Sequence, residues 1–238
     1  MPTKAVIFDL YETLISEYVP VWKPQQTVIE RLGVEVDAFR SVWSRFQRAR
    51  FTGEIPDYAT ALRLICRELD HVPAEALLPQ LQEERLALKR GPFLQIDATV
   101  LAMLTKLAQL GVQVAVLSNA APEEVAAWPE SPLAALIHTT VFSCDVGMVK
   151  PDAAIYHLSC ARLGVAPTET LFVGDGGSDE LHGAANAGLM PLWATWFLDQ
   201  WPAGKGSATM HYATSRFPRL RAPNDLLPFL AREGRKQR

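Results

Sequence analysis

The chain has 238 residues, of which 49% are hydrophobic and 21% are charged, and its formal net charge is −3. This composition is typical of a globular protein, and the length allows one large core with a small second lobe. A slightly negative chain does not favour nucleic-acid binding, which usually needs a strongly basic face. The three cysteines have no CxxC spacing, so we expect free thiols rather than disulfides or a zinc site.

The N-terminal sequence, MPTKAVIFDL, lacks the basic start and the long apolar stretch of a signal peptide. No uninterrupted apolar run is long enough to span a bilayer. We therefore expect a cytoplasmic protein that is a monomer or homodimer and acts on a small molecule, with no membrane or nucleic-acid partner.

The first predicted element is a buried strand at residues 4–10, KAVIFDL, where the apolar run has no helical period. Helical patterns follow, and no strand pattern lies among them. They are found at residues 25–33, 37–51, 57–70 and 76–90. The sequence therefore predicts a helical cap at 17–90, inserted into a core made of residues 1–16 and 91–238.

Strand and helix patterns alternate through the rest of the predicted core. The predicted strands are VQVAVLS at 112–118, TVFSC at 140–144, TLFVG at 170–174 and MPLWAT at 190–195. The predicted helices are 100–111, 153–164 and 180–188, each ending at a glycine. This alternation predicts a Rossmann-like, doubly wound parallel sheet. We expect loop at 199–224 and a short last helix at 225–232.

Polar side chains stand where four of the predicted strands end. Asp9 follows VIF, Ser118 follows VAVL, Lys150 lies beyond TVFSC, and Asp175 follows LFVG. The carboxyl ends of parallel strands meet at one edge of the sheet, where ligands bind. The sequence therefore predicts an active site at this edge.

These residue types fit nucleophilic catalysis on an anionic substrate. Asp9 can attack phosphorus or an activated carbon and form a covalent intermediate. Ser118 and Lys150 can bind anionic oxygens, and Thr13 can add a hydroxyl group. Asp175 and Asp179 offer the oxygen ligands that Mg2+ prefers, so Mg2+ is the expected cofactor.

Four motifs together resemble the haloacid dehalogenase superfamily, in its branch with a helical cap after the first motif. FDLYETL is similar to the first motif, DxxxT, and VLSNA to the second. VKPD resembles the third, and VGDGGSDEL resembles the fourth, GDxxxxD or GDxxxD. The resemblance covers residues 4–16 and 95–195, whereas the cap matches only in position and helical character.

The resemblance implies roles for further residues. Asp9 and the backbone carbonyl of Tyr11 would be metal ligands together with Asp175 and Asp179. Tyr11, Thr13 and Asn119 would contact the substrate. Arg40 would face a substrate carboxylate, because dehalogenases of this type use an arginine from the cap region.

Two motifs favour different reactions. Where this chain has Tyr11, phosphatases of the superfamily carry a second aspartate, which acts as the general acid. A tyrosine at this position resembles the 2-haloacid dehalogenases, which need no metal. The acidic fourth motif instead resembles the metal-binding phosphatases. We give the fourth motif more weight and predict a Mg2+-dependent phosphatase that forms an aspartyl-phosphate and acts on a small phosphorylated metabolite. A 2-haloacid dehalogenase with an aspartyl-ester intermediate is the alternative, and a non-catalytic binding protein is a third possibility.

Overall fold

The structure is a computed structural model that describes residues 3–17, 27–201 and 216–230. Its strands are β1 Ala5–Phe8, β2 Gln113–Ser118, β3 Thr139–Phe142, β4 Thr170–Gly174, β5 Met190–Ala194 and β6 Arg219–Leu220. All neighbouring pairs are parallel, in the order β3-β2-β1-β4-β5-β6. The order runs in opposite directions on either side of β1, which is the switch point of a doubly wound sheet. The predicted fold class is confirmed.

The described helices follow the predicted alternation. They are α1 Val28–Leu32, α2 Val36–Arg45, α3 Gln47–Phe51, α4 Tyr58–Glu68, α5 Leu77–Leu94, α6 Ala98–Gln109, α7 Pro122–Val125, α8 Ser143–Val146, α9 Ala153–Leu163, α10 Glu180–Asn186 and α11 Leu227–Leu230. Short 3₁₀ turns lie between several of them, including Gly177–Asp179 before α10. No described helix is long and apolar enough to cross a membrane.

Both faces of the sheet are covered, because the side chains of β1 alternate between two apolar clusters. Val6 and Phe8 belong to the cluster that contains Met103 of α6. Ile7 belongs to the cluster on the other face, which contains Ile155 of α9. Every residue of β1 is fully buried. The central strand therefore gives a rigid support for the residue that follows it, Asp9.

Helices α1–α5 have a core of their own, and we call residues 27–94 the helical insertion. Its buried apolar cluster contains Phe39 of α2, Leu62 and Ile65 of α4 and Leu81 of α5. The predicted helix at 37–51 is interrupted at Phe46, between α2 and α3. Helix α5 continues to Leu94, past the predicted domain boundary at 90.

The C-terminal part differs from the sequence prediction. Within the predicted loop 199–224, residues 219–220 form the edge strand β6, which pairs with Trp193 and Ala194. The loop prediction was therefore wrong there, since two residues are too few to show a strand pattern. The predicted helix 225–232 is a 3₁₀ turn at Pro223–Leu226 followed by α11. Residues 202–215 and 231–238 lie outside the described part. All three cysteines are free, as expected.

Candidate active site

Asp9 is the first residue after β1, and the fold holds both its backbone and its side chain. Its amide donates to the carbonyl of Val173 in β4 at 2.8 Å. One carboxylate oxygen, Oδ1, accepts from Lys150 Nζ at 2.5 Å, and the other, Oδ2, accepts from Thr13 Oγ1 at 3.3 Å. The residue is 6% exposed. Both oxygens of the carboxylate are thus held in one orientation, as a nucleophile requires.

The turn after β1 is fixed by hydrogen bonds from distant residues. Trp196 Nε1 donates to the carbonyl of Thr13 at 2.9 Å. Glu12 has a positive φ of 55°, and its carboxylate accepts from the Ser16 hydroxyl and the Glu17 amide, both at 2.8 Å. These contacts place the Thr13 hydroxyl on Asp9, so Thr13 orients the Asp9 carboxylate in this structure.

Lys150 reaches Asp9 because β2 and the segment after β3 are tied together. The Asn119 side chain donates from Nδ2 to the carbonyl of Lys150 at 2.9 Å and accepts the Lys150 amide at 2.8 Å. Asn119, for which we predicted a substrate contact, therefore positions Lys150. Ser118 is the last residue of β2 and is 1% exposed, at the same edge of the sheet as Asp9.

The ammonium group of Lys150 lies between two carboxylates. It contacts Asp9 and also donates to Glu180 Oε2. Burial alone would lower the pKa of Lys150, but the charges of Asp9 and Glu180 outweigh burial, and the net result is a raised pKa. Lys150 therefore stays protonated at neutral pH and offsets part of the negative charge around Asp9.

Glu180 is a site residue that the sequence analysis missed. Its side chain is buried, and its Oε1 accepts from the Gly176 amide at 3.0 Å. The Tyr156 hydroxyl donates to its backbone carbonyl at 2.8 Å. A Cβ on Gly174 would lie 2.0 Å from Glu180 Oε1, so only glycine fits at the end of β4. Burial and the charge of Asp9 raise the pKa of Glu180 well above its ordinary value.

Asp179, the predicted metal ligand, does not lie in this group. Its side chain is 62% exposed and makes a 2.5 Å contact with His182 Nδ1. Ser178 and Asp179 both have positive φ, 54° and 52°, a conformation that residues other than glycine seldom adopt. These two residues turn the chain so that the next one, Glu180, enters the site. A signal existed in the sequence, because the GDxxxxD spacing counts from Asp175 to position 180, where this chain has Glu in place of Asp.

Three acidic residues offer oxygen ligands for a metal. One carboxylate oxygen each of Asp9, Asp175 and Glu180 lies within 4.8 Å of the other two. Burial and then the charge of Asp9 raise the pKa of Asp175 to about 6. Three carboxylates beside one lysine, two of them buried and that of Asp175 part-buried, leave excess negative charge, and hard oxygen donors suit Mg2+. The donor set therefore fits the expected metal, with Glu180 in the place predicted for Asp179.

The Tyr11 hydroxyl is held by a hydrogen bond, and its environment makes it less acidic. Its hydroxyl donates to the backbone carbonyl of Glu124 at 2.5 Å. Burial and the nearby carboxylates of Glu17 and Glu124 raise the pKa of the phenol above its ordinary value. A phenol with a raised pKa is a poor general acid at neutral pH. Coordination of a metal by the Tyr11 carbonyl stays a prediction.

Arg40, the predicted substrate contact, lies on an outer face of the helical insertion. Its side chain is 71% exposed, and its ionic contact is with Asp37, 3.6 Å away on the same helix. Its position on α2 gives it no place among the buried groups around Asp9. The arginine that contributes to the cavity beside Lys150 is Arg48 of α3.

The chain is similar to known proteins in sequence and in fold. It is 29% identical over 198 residues to (S)-2-haloacid dehalogenase 4A of Burkholderia cepacia, covering 78% of this chain and 80% of that one. It is 30% identical over 93 residues to a phosphoserine phosphatase of Thermus thermophilus, covering 39% and 37%. The fold is similar to a 2-haloacid dehalogenase of Pseudomonas syringae, with a TM-score of 0.63, 23% identity and coverage of 96% and 97%. The haloacid dehalogenase-like hydrolase family model matches residues 3–188. The chain belongs to the haloacid dehalogenase-like hydrolases.

Proposed function

We propose that this hydrolase is a Mg2+-dependent phosphohydrolase that uses Asp9 as a covalent nucleophile. The observation that carries the proposal is the excess of carboxylates near Lys150, namely those of the buried Asp9 and Glu180 and the part-buried Asp175. Buried like charges raise each other's pKa values and are costly unless a cation offsets them. A divalent metal and an anionic phosphate group together suit this environment.

The proposed reaction has two displacements at phosphorus. In the first, an oxygen of Asp9 forms a bond to phosphorus, and the bond to the leaving oxygen breaks. In the second, water attacks phosphorus, the carboxylate of Asp9 leaves, and inorganic phosphate is released. Thr13 and Lys150 orient Asp9, and Lys150 with Ser118 binds phosphoryl oxygens.

The metal would be held by Asp9, Asp175 and Glu180. When bound there, Mg2+ supplies positive charge that lets an anionic nucleophile approach an anionic phosphate. The surrounding chain keeps these ligands in place, since backbone amides of Gly177 and Gly176 donate to Asp175 and Glu180 at 2.8 and 3.0 Å.

The state of Tyr11 narrows the proposed substrate class. An alkyl phosphate needs a proton donor for its leaving alkoxide, and the Tyr11 hydroxyl is engaged with Glu124 and has a raised pKa. Acyl and aryl phosphates have leaving groups of lower pKa that depart without a proton. We therefore assign this enzyme to acyl or aryl phosphates of small metabolites.

The helical insertion is proposed to act as a cap over the site. Arg48 of α3 lies 3.4 Å from Asp152 of the core. A Cβ on Gly53 would lie 2.3 Å from the carbonyl oxygen of Cys144, so the insertion approaches the core backbone closely there. Residues 47–53 of the insertion are thus next to the core near Lys150 and could select the substrate.

Turnover of acetyl phosphate and p-nitrophenyl phosphate tests the function. We expect hydrolysis that EDTA abolishes and Mg2+ restores, together with a beryllofluoride or phosphoryl adduct on Asp9 by mass spectrometry. Activity that survives both EDTA and Asp9→Asn would refute the mechanism. Absence of turnover and of any adduct would instead favour a binding protein.

A second candidate is a 2-haloacid dehalogenase, in which Asp9 attacks carbon, halide leaves and water hydrolyses the aspartyl ester. Tyr11 and the 29% identity to (S)-2-haloacid dehalogenase 4A favour it, and a departing halide needs no proton. Halide release from 2-chloropropionate in the presence of EDTA, with no phosphate release from either phosphate substrate, would establish this reaction in place of the first.

A further inference from the structure

Residues 193–201, which we call the tryptophan segment, run from the end of β5 and contain three tryptophans. Two of them, Trp193 and Trp196, are buried. Each of the three indole nitrogens donates a hydrogen bond to a turn of the candidate active site. A buried indole needs an acceptor for its one donor, but that need does not determine which group accepts. The common destination of the three bonds therefore indicates a function beyond satisfying each indole.

The first of these bonds fixes the turn after β4. Trp193 Nε1 donates to the backbone carbonyl of Asp175 at 3.0 Å. Gly176 and Gly177 follow, and Gly176 has a positive φ of 95°, so these two positions lack the side chains that would restrict the backbone. The bond from β5 supplies a restriction at the residue that carries the carboxylate.

The other two bonds fix the turn after β1. Trp196 Nε1 donates to the carbonyl of Thr13 at 2.9 Å, and the Thr13 hydroxyl in turn donates to Oδ2 of Asp9. Trp201 Nε1 donates to the carboxylate of Glu12 at 3.2 Å. That carboxylate has other donors within the same turn, so the bond from Trp201 adds less than the bond from Trp196. One segment thus holds both turns that carry the acidic groups.

The tryptophan segment is itself held by the residues of edge strand β6. The Trp193 amide donates to the carbonyl of Pro218, and the Thr195 amide donates to the carbonyl of Leu220, both at 2.9 Å. Arg219 Nε donates to the Thr195 hydroxyl at 2.9 Å. A support for a site has to be fixed by its own contacts, and the tryptophan segment meets that condition.

We propose that Trp193 and Trp196 are positioning residues, which hold Asp175 and Asp9 in the orientations that metal binding and nucleophilic attack require. The inference rests on the proposed function, from which the roles of the two aspartates are taken. Trp193 then acts on the affinity for Mg2+, and Trp196 acts on the rate of attack. If the indoles instead only fill the core, the removal of either N–H group lowers stability and nothing else.

Trp193→Phe and Trp196→Phe keep an aromatic ring and remove the indole N–H. We expect calorimetry to show that Trp193→Phe binds Mg2+ about tenfold more weakly than the unchanged protein, the usual cost of losing an outer contact of a metal ligand. Trp196→Phe should affect Mg2+ binding less, whereas its kcat on acetyl phosphate should fall about tenfold with KM unchanged. Trp128→Phe is the control, because the Trp128 ring packs edge-on against Phe93 and Phe142.

The NMR signals of the indole N–H groups give a second measurement, which uses the unchanged protein. We expect Mg2+ to shift the Nε1–H signal of Trp193 more than that of Trp128, because the acceptor of Trp193 is the carbonyl of a proposed ligand residue. Equal shifts of the two signals would contradict the role of Trp193.

Mg2+ affinity and kcat that stay within about twofold of the unchanged protein in both variants overturn the inference. So do equal losses in Trp128→Phe, which would show a general loosening of the fold. In either case, Mg2+-dependent turnover by the unchanged protein leaves the proposed function standing alone. Weaker Mg2+ binding confined to Trp193→Phe, without any phosphate turnover by the unchanged protein, supports the positioning of Asp175 and removes the phosphohydrolase. If the unchanged protein binds no Mg2+, both proposals are wrong.

Discussion

Two groups of charges in the described part of the chain contain buried members, and the groups differ in the balance of positive and negative charge. The strand-end cluster has three carboxylates and one cation, namely Asp9, Lys150, Asp175 and Glu180. The junction cluster, where the insertion meets the core, has three carboxylates and three cations, namely Glu17, Arg50, Arg85, Lys89, Glu123 and Glu124. Only the junction cluster is neutral.

The pKa values follow this difference. In the junction cluster, burial alone would raise the pKa of Glu124, but the charges of Lys89 and Arg85 outweigh it and lower that pKa. In the strand-end cluster, burial and the charge of Asp9 raise the pKa values of Asp175 and Glu180. A balanced group stabilises its own ionised form, whereas an unbalanced one requires a further cation. The strand-end cluster is therefore the proposed place for metal and substrate.

The largest effect should come from the nucleophile. Asp9→Asn removes the oxygen that bonds to phosphorus, and we expect kcat on acetyl phosphate to fall by about 10⁴-fold, as is usual when a covalent nucleophile is lost. Circular dichroism should show an unchanged fold. A variant that keeps more than a tenth of the activity would mean that Asp9 is not the nucleophile.

The junction cluster should respond in stability rather than in chemistry. Lys89 is buried, and its Nζ lies 2.5 Å from Glu17 and 3.2 Å from Glu124. Lys89→Met leaves Glu17 without this cation, whereas Glu124 keeps its contact with Arg85, and we expect the free energy of unfolding to fall by about 3 kcal/mol. Urea denaturation measures this loss. A variant as stable as the parent would show that the balance of this cluster does not stabilise the fold.

In the strand-end cluster of the metal-free protein, the removal of a charge should raise the free energy of unfolding rather than lower it. Asp175→Asn removes a part-buried negative charge, and the metal-free protein should gain about 1–2 kcal/mol at neutral pH. In the parent protein the pKa of Asp175, about 6, lies above its ordinary value of 3.8. The folded protein therefore binds the Asp175 proton more tightly than the unfolded chain does. The resulting stabilisation is fully present below about pH 4 and is lost as the pH rises through about 6.

Thermal denaturation in EDTA from about pH 4 to 7 measures both the gain in stability of Asp175→Asn and the pH dependence of the parent. The parent should lose stability across this range relative to Asp175→Asn, and only the parent should regain it when Mg2+ is added. If the variant is less stable than the parent in EDTA at pH 7, the carboxylates are already compensated by the protein itself.

The smallest effect should come from Tyr11. Tyr11→Phe removes a hydroxyl that is engaged with the Glu124 carbonyl, so we expect about 1 kcal/mol of lost stability and a change in kcat of less than about twofold. Steady-state kinetics on acetyl phosphate and p-nitrophenyl phosphate measure the rate. A tenfold loss that is confined to the substrate with the poorer leaving group would identify Tyr11 as a general acid after all.

The sequence predicted the strands and their polar ends because buried parallel strands are continuous apolar runs, and the residue after each run must lie at the sheet edge. Asp9 and Asp175 follow from that rule alone, whereas Lys150 lies beyond α8, and its backbone is tied to Asn119 at the end of β2. Edge strand β6 was not predicted, because two residues are too few to show the alternation of a strand. The break between α2 and α3 at Phe46 also left no signal in the helical pattern.

Two predicted site residues lie away from the strand-end cluster because of local geometry. The GDxxxD spacing selects Asp179 and the GDxxxxD spacing selects position 180, and the structure, with left-handed backbone at Ser178 and Asp179, buries Glu180 and exposes Asp179. Arg40 and Arg48 are equally basic in sequence. Which of them borders the cavity depends on how the insertion packs on the core, and helical periodicity does not encode that arrangement.

Of two adjacent acids, we propose that Glu180 and not Asp179 is a ligand of Mg2+. Calorimetric titration of Mg2+ into the parent, Glu180→Gln and Asp179→Asn compares the buried acid of the strand-end cluster with the exposed acid beside it. We expect Glu180→Gln to weaken Mg2+ binding by about tenfold or more and Asp179→Asn to change it by less than about twofold. Weaker binding in Asp179→Asn with unchanged binding in Glu180→Gln, or no binding by the parent, would contradict the account.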